Sequence, residues 1–252
     1  MKKVHTIAEI GVNFDSFETA NQMIDASAEA KADFIKFQLF NEDTIEDSPI
    51  KDRLMPLILN EEKVKHLQEH ARDHELGFIL TPMYLDAIDI AAKYGDYIKI
   101  RYADHENEEL IEKAEATGKT LLISVPYRPL NVYSPRKRYL YCLSAYPPRI
   151  EDFNLEVACS CHGFSSHFPH TVCDLAYVIN RSFEECFIEK HVMLGTRFWF
   201  VDPKATFKPL PHEGGVASEF KSIDRAVSVT FYELTEFVSQ IRLVEQMKRI
   251  RL

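Results

Sequence analysis

Eight short segments rich in apolar and β-branched residues recur along the chain, and most of them are separated by stretches with a helical period. They are residues 4–13, 33–40, 77–82, 97–103, 120–126, 137–146, 161–167 and 186–192. Strands that alternate with helices pair in parallel, because the helix carries the chain back across the sheet. Eight such strands favour closure into a (βα)8 TIM barrel over an open doubly wound sheet, and no G-x-G-x-x-G turn follows the first segment. The length, 252 residues, is near that of one such barrel. The expected fold is therefore α/β: a single barrel domain over residues 1–216, with a C-terminal helical extension over 217–252 packing on it.

The helical segments carry their own punctuation. Residues 16–31 open on Ser16, a side chain suited to the N-cap, and place Ala20, Met23, Ile24, Ser27 and Ala28 on one face. Segments 61–75, 84–94, 106–117 and 170–183 repeat that spacing, and Gly95 and Gly118 stand where helix C-termini favour glycine. Pro129 and Pro135 argue against a full helix over 127–136. A Pro- and Gly-bearing loop is expected over 202–216, then helix from about 218. Its last part, 227–250, spaces Val229, Phe231, Leu234, Phe237, Val238 and Ile241 as one stripe, which either joins the core or pairs with a second copy in a homodimer.

Composition narrows the partners. A net charge of −9 argues against nucleic acid or an anionic membrane, and no apolar run is long enough to span a bilayer. Glu9 interrupts the place where an export signal needs apolar residues, so a cytoplasmic location is expected. Five cysteines, with Cys159 and Cys161 one residue short of a C-x-x-C pair, read as reduced thiols.

The chemistry collects by strand parity. In 186–192, Glu189 and His191 share one face of a strand that is otherwise core-like, and buried polar groups cost free energy unless paired or bound. Alone, this reads as a satisfied Glu–His pair. Other strands repeat it: Glu9, Gly11 and Asn13; Lys36 and Gln38; Thr81; Lys99 and Arg101; Ser124; Ser144 and Tyr146; Ser165 and His167. In a barrel these positions face the C-terminal mouth. Lysines and hydroxyls there suit a phosphate and a carboxylate, His167 and His191 suit one divalent metal, and Glu9 and Glu189 suit proton transfer.

These residues are embedded in words that resemble the sialic acid synthase family, the phosphoenolpyruvate-dependent N-acetylneuraminate synthases and their pseudaminic, legionaminic and spore-coat relatives. The words are AEIGVN (8–13), ADFIKFQ (32–38), YIKI (97–100), LLIS (121–124), YCLSAYPPRIEDFNL (141–155), GFSSH (163–167), FIEKH (187–191) and DPKATFKP (202–209). The resemblance implies a (βα)8 catalytic barrel that condenses phosphoenolpyruvate with the open-chain aldehyde of an N-acylated hexosamine, with C–O cleavage and release of phosphate. It implies that Lys36, Lys99, Thr81, Ser124, Ser144 and Ser165 hold phosphoenolpyruvate. It assigns His167 and His191 to Mn2+ or Mg2+, and Glu9, Gln38, Tyr146, Glu189 and Asp202 to the sugar and the attacking water.

The chain departs from the family pattern at Phe14, where His is usual, at Arg101-Tyr102 for Gly-Ser, at Val125-Pro126 for Thr-Gly, and at Ser166 for Asp. Tyr102 puts a phenol on the phosphate side, where Arg101 compensates with charge. Full-length synthases add an antifreeze-like domain that contributes an Arg to the sugar. This sequence closes in helix instead, so its sugar pocket is expected to be built differently, supplied by another protein, or suited to another aldehyde. The alternative is a non-catalytic barrel that binds phosphoenolpyruvate or a sugar acid as a partner subunit.

Overall fold

The structure is a computed structural model that describes residues 3–130, 133–195 and 222–250, with side chains to Met247. Asp202, the DPKATFKP word, the 202–216 loop and the 216/217 boundary lie outside the described residues.

Eight parallel strands close on themselves: β1 (Lys3–Gly11), β2 (Phe34–Leu39), β3 (Gly77–Pro82), β4 (Tyr97–Ile100), β5 (Leu121–Val125), β6 (Lys137–Tyr141), β7 (Gly163–Ser166) and β8 (Glu185–Met193). The barrel shuts where β1 pairs with β8, with Ile7 opposite Glu189 and Glu9 opposite His191. Around it lie α1 (Phe17–Glu29), the one-turn α2 (Lys51–Leu54), α3 (Glu61–Asp73), α4 (Ala87–Tyr94), α5 (Glu108–Ala116), α6 (Leu155–Cys159) and α7 (Val172–Asn180). A two-residue strand, β9 (Val229–Thr230), pairs with the end of β8 and leads into α8 (Phe231–Ile250).

Local sequence explains the boundaries. Ser16 caps α1 by accepting from the Thr19 amide, and Asn60, Asn107 and Asn154 cap α3, α5 and α6 in the same way. Residues 127–136 form no helix among those described. Six strands are shorter than expected, three of them for a local reason. Gly11, at φ +54°, turns β1 out of the extended region, so the strand ends there rather than at 13. In β4 pairing stops at Ile100, because Tyr102–Asp104 winds into a 3-10 turn. And β6 stops at Tyr141, short of Pro147 and Pro148, which leaves Ser144 and Tyr146 on a loop. The C-terminal helix starts at Phe231, not near 218: 222–228 is turn.

Inside the barrel the side chains stack in layers. Ile7, Ile79, Leu122, Leu140 and Phe187 form a dry plug, with Phe34 and Tyr97 packed against it. Each such side chain contributes roughly 1.5–3 kcal/mol by leaving water. Gly163 lets β7 approach β8: a Cβ there would stand 2.4 Å from the Phe187 carbonyl oxygen. Outside, α8 contacts α7, α1, β8 and β1, the place of the eighth helix. It buries Leu234, Phe237, Val238 and Ile241. Arg242 donates to the Val4 carbonyl at 2.8 Å and to Asp33 at 2.6 Å, pinning the helix to the barrel floor. No helix among the described residues is long and apolar enough to cross a membrane.

Candidate active site

Above the apolar plug the inward-facing positions turn polar, and they enclose a cavity of about 220 Å3 at the C-terminal ends of the strands. Glu9, Lys36, Gln38, Lys99, Ser124, Ser165 and Glu189 line it from the strands. Arg101, Ser144, Tyr146 and His167 line it from the turns above, with His191 from β8. Thr81 stands behind, fully buried, its hydroxyl accepting from Lys36 Nζ at 3.2 Å. The structure thus brings the expected residues, Asp202 aside, to one place.

The floor is an ion network. Lys36 Nζ is 2.8 Å from Glu9 Oε2 and 3.5 Å from Glu189 Oε1. Lys99 Nζ donates to Ser124 Oγ at 2.7 Å and lies 3.9 Å from Glu189 Oε2. Ser165 donates to Glu189 Oε1 at 2.7 Å, and Gln38 Nε2 donates to Glu9 Oε1 at 3.0 Å. Gly11 makes room for that last contact, since a Cβ there would stand 2.8 Å from Glu9 Oε1.

Burial acts on every one of these charges, and neighbours decide the outcome. For Lys36, burial works to lower the pKa, but Glu189 and Glu9 outweigh it and hold it above the usual lysine value. For Lys99 burial wins: the facing Glu189 opposes it, the Lys36 charge reinforces it, and its pKa falls below the usual value. Glu189 resists burial through Lys36, Lys99 and the Ser165 hydroxyl, and stays ionised well below the usual carboxylate range. Lys36 is thus a fixed cation, while Lys99 gives up its proton more readily.

The rim carries the imidazoles. His167 and His191 have ring centroids 5.4 Å apart, and the Tyr146 hydroxyl lies 3.5 Å from the ring nitrogens of His191. His167 Nδ1 is 2.9 Å from the Leu143 carbonyl, which only accepts, so Nδ1 carries the proton and Nε2 the lone pair. Burial, with His191 adding to it, lowers the His167 pKa to about 3 and keeps the ring neutral. His191 Nδ1 faces Asp224 Oδ2 at 3.4 Å, which directs its Nε2 in the same sense. Two imidazoles with oriented neighbours form a donor set that suits a divalent ion.

Two residues of the site, Asp224 and Cys142, escaped the sequence reading. Asp224 reaches the site from the segment before α8, and Asn13 holds that segment. The Asn13 side chain accepts from the Asp224 amide at 2.8 Å and donates to Ser228 Oγ and the Val192 carbonyl, both at 2.8 Å. No local pattern marks Asp224. Cys142, on the parity already noted for Ser144 and Tyr146, sits under His167 with its thiol pushed up to about 11 by burial. Arg101 lines the cavity but is already paired with Asp104 across the 3-10 turn. Tyr102 lines the same wall, its ring 5.2 Å from that of His105.

The fold and this mouth define a (βα)8 barrel with its polar groups at the C-terminal ends of the strands. The sequence model of the NeuB family matches residues 23–131. An uncharacterized protein of Methanocaldococcus jannaschii is 27% identical over 260 residues, covering 96% of this chain and 71% of that one. The N,N'-diacetyllegionaminic acid synthase of Campylobacter jejuni is 28% identical over 247 residues, covering 83% of this chain and 73% of the synthase. In fold, the chain superposes on the N-acetylneuraminic acid synthetase of Leptospira borgpetersenii with a TM-score of 0.77 at 23% identity, over 97% of this chain and 84% of that one. In sequence the chain is thus similar to the NeuB family over residues 23–131, and in fold it is similar to a sialic acid synthetase.

Proposed function

We propose that the chain condenses phosphoenolpyruvate with the open-chain aldehyde of an N-acylated hexosamine or related aldose, giving a nonulosonic-type 2-keto-3-deoxy acid and phosphate. The observation that carries this reading is the pairing of two buried lysines with two buried carboxylates in one cavity, directly below two oriented imidazoles. The cavity suits a small dianion, and at about 220 Å3 it leaves the sugar to extend into the mouth.

Lys36 and Lys99 bind the phosphate and carboxylate of phosphoenolpyruvate, and the hydroxyls of Ser124, Ser144 and Ser165 donate to their oxygens. Thr81 holds Lys36 in place from behind. Arg101 adds positive charge at the wall where Tyr102 stands. His167 and His191 are the residues that hold Mn2+ or Mg2+, and such an ion supplies charge that polarises the acceptor carbonyl. Tyr146 and Gln38 orient the sugar. A bond forms between the methylene carbon of phosphoenolpyruvate and the aldehyde carbon, and the aldehyde oxygen takes a proton. Water adds at the carbon bearing the phosphate ester, Glu9 or Glu189 receiving its proton. The C–O bond then breaks and phosphate leaves. Asp202 joins the sugar-binding set in this reading.

Phosphate release from phosphoenolpyruvate, measured with Mn2+ against a panel of N-acetylhexosamines, tests the proposal. Turnover with any member supports it; silence across the panel together with no calorimetric binding of phosphoenolpyruvate overturns it. Tyr102 on the cavity wall favours a second reading, a barrel that binds the same anion without turnover as a partner subunit. Binding without phosphate release marks that outcome.

A further inference from the structure

On the outer shell, remote from the polar mouth, α3 presents His70 and His74 one helical turn apart, and α1 presents Asp25 against them. Asp25 Oδ1 lies 2.7 Å from His70 Nε2 and 3.0 Å from His74 Nε2, and the two rings meet edge to face at 4.9 Å. Among the described residues this is the only trio of His, Cys, Asp or Glu side chains whose ligand atoms all lie within 4.8 Å of one another.

We infer that Asp25, His70 and His74 form a second divalent transition-metal site that fastens α1 to α3. Spacing of i and i+4 puts two imidazoles on one side of a helix, and the neighbouring helix supplies a carboxylate at the same height. With bonds of about 2.0–2.2 Å, ligand atoms around a tetrahedral zinc ion stand roughly 3.3–3.5 Å apart. The observed N–O separations of 2.7 and 3.0 Å therefore need to open by less than about 1 Å, within reach of side-chain rotation. His70 Nε2 hydrogen-bonds Asp25 Oδ1, and His74 Nε2 faces the same oxygen. An ion binds when each ring carries its proton on Nδ1, exchanged through solvent, so that both Nε2 lone pairs and the carboxylate oxygen face the metal. Two imidazoles and one carboxylate favour Zn2+, Co2+, Ni2+ or Cu2+ over Ca2+ or Mg2+. The side chains are 29%, 38% and 47% exposed for His70, His74 and Asp25, which gives the ion access and leaves room for water. Because the ligands come from two helices, the ion ties together parts of the shell that precede β2 and β3.

The full chain, stripped with a chelator, is titrated with Co2+ and Zn2+ by calorimetry and Co2+ absorption in an H167N/H191N background, which removes the mouth imidazoles. One equivalent is expected to bind, with a Tm rise of about 5–10 °C at hundredfold excess over Kd. D25N, H70N and H74N are each expected to weaken binding at least tenfold. Failure of Co2+ and Zn2+ to bind in that background below millimolar concentrations overturns the site, as does binding unchanged in all three variants. Should H167N/H191N not fold, the native chain is compared with H70N: a loss of one equivalent supports the site, and an unchanged stoichiometry overturns it. The readout is binding, so it stands whether or not the barrel turns over phosphoenolpyruvate.

Discussion

Two adjacent side chains on β8 show what separates a structural buried charge from a chemical one. Lys190 points out of the barrel and is 1% exposed. Its ammonium donates to Ser166 Oγ at 3.0 Å, the Phe168 and His170 carbonyls at 2.7 Å, and Asp174 Oδ2 at 3.0 Å. An ammonium has three donors, so this shell is saturated. Glu189 points inward, as buried as Lys190, but it borders the cavity, and its Oε2 has no hydrogen-bond partner among the described residues. Asp174 Oδ1 also lacks one among the described residues, but Asp174 does not line that cavity. Burial costs the same in both places. What differs is the empty space beside the inner ions, where an incoming anion finds partners already in position.

The largest expected effect breaks the outer pair. Lys190→Met leaves Asp174 buried without its cation and is expected to cost about 3–5 kcal/mol, read by urea denaturation. Replacing both partners, K190M/D174L, is expected to restore most of that loss, because an apolar pair of similar size removes both desolvation penalties. A single variant as stable as the parent contradicts the structural role.

Inside, the balance reverses. Glu189→Gln is expected to lower phosphate release by about 10²–10³-fold while shifting stability less than Lys190→Met does. Activity retained with a collapse of stability places Glu189 with Lys190 instead. Lys99 gives a pH signature. Its pKa is lowered by burial, with Lys36 adding to it, so as pH rises it loses its proton before an ordinary lysine does. Only the charged form attracts an anion. Affinity for phosphoenolpyruvate is therefore expected to fall as pH rises toward alkaline values, with proton uptake on binding. Calorimetry in buffers of different ionisation enthalpy measures that uptake, and Lys99→Met removes it; binding independent of pH removes Lys99 from the anion site.

This contrast also explains which residues the sequence disclosed. Strand parity places Glu9, Lys36, Lys99, Ser124 and Glu189 on one face, because alternation along a strand is local and the barrel converts it into convergence. Parity fails where the strand stops. Ser144 and Tyr146 reach the cavity from a loop, and Arg101 from a 3-10 turn, so their directions come from tertiary packing. Asp224 is the clearest case: it meets His191 only because Asn13, 211 residues earlier, binds its amide. Periodicity holds no information about such a contact. The α8 stripe was legible as apolar, but its place between α7 and α1 follows from Arg242, Asp33 and Val4 meeting at the barrel floor.

The smallest effect concerns the wall that departs from the family pattern. Tyr102 brings a phenol to the cavity where the sequence resemblance leads one to expect a small hydroxyl, and its ring leans on His105, whose Nδ1 lies 2.6 Å from the Tyr102 carbonyl. Because the turn is held through the backbone, Tyr102→Ser is expected to keep the 3-10 turn while opening the cavity on that side. One recovered hydrogen bond to phosphate is worth about 0.5–1.5 kcal/mol, so phosphoenolpyruvate is expected to bind roughly two- to tenfold tighter. Tighter binding with faster phosphate release marks Tyr102 as an obstacle that a slow synthase tolerates. Release that appears only in the variant assigns the native chain to the binding-only reading. Weaker binding in Tyr102→Ser makes the phenol itself a ligand contact, and the inner site then differs from its relatives in chemistry as well as in shape.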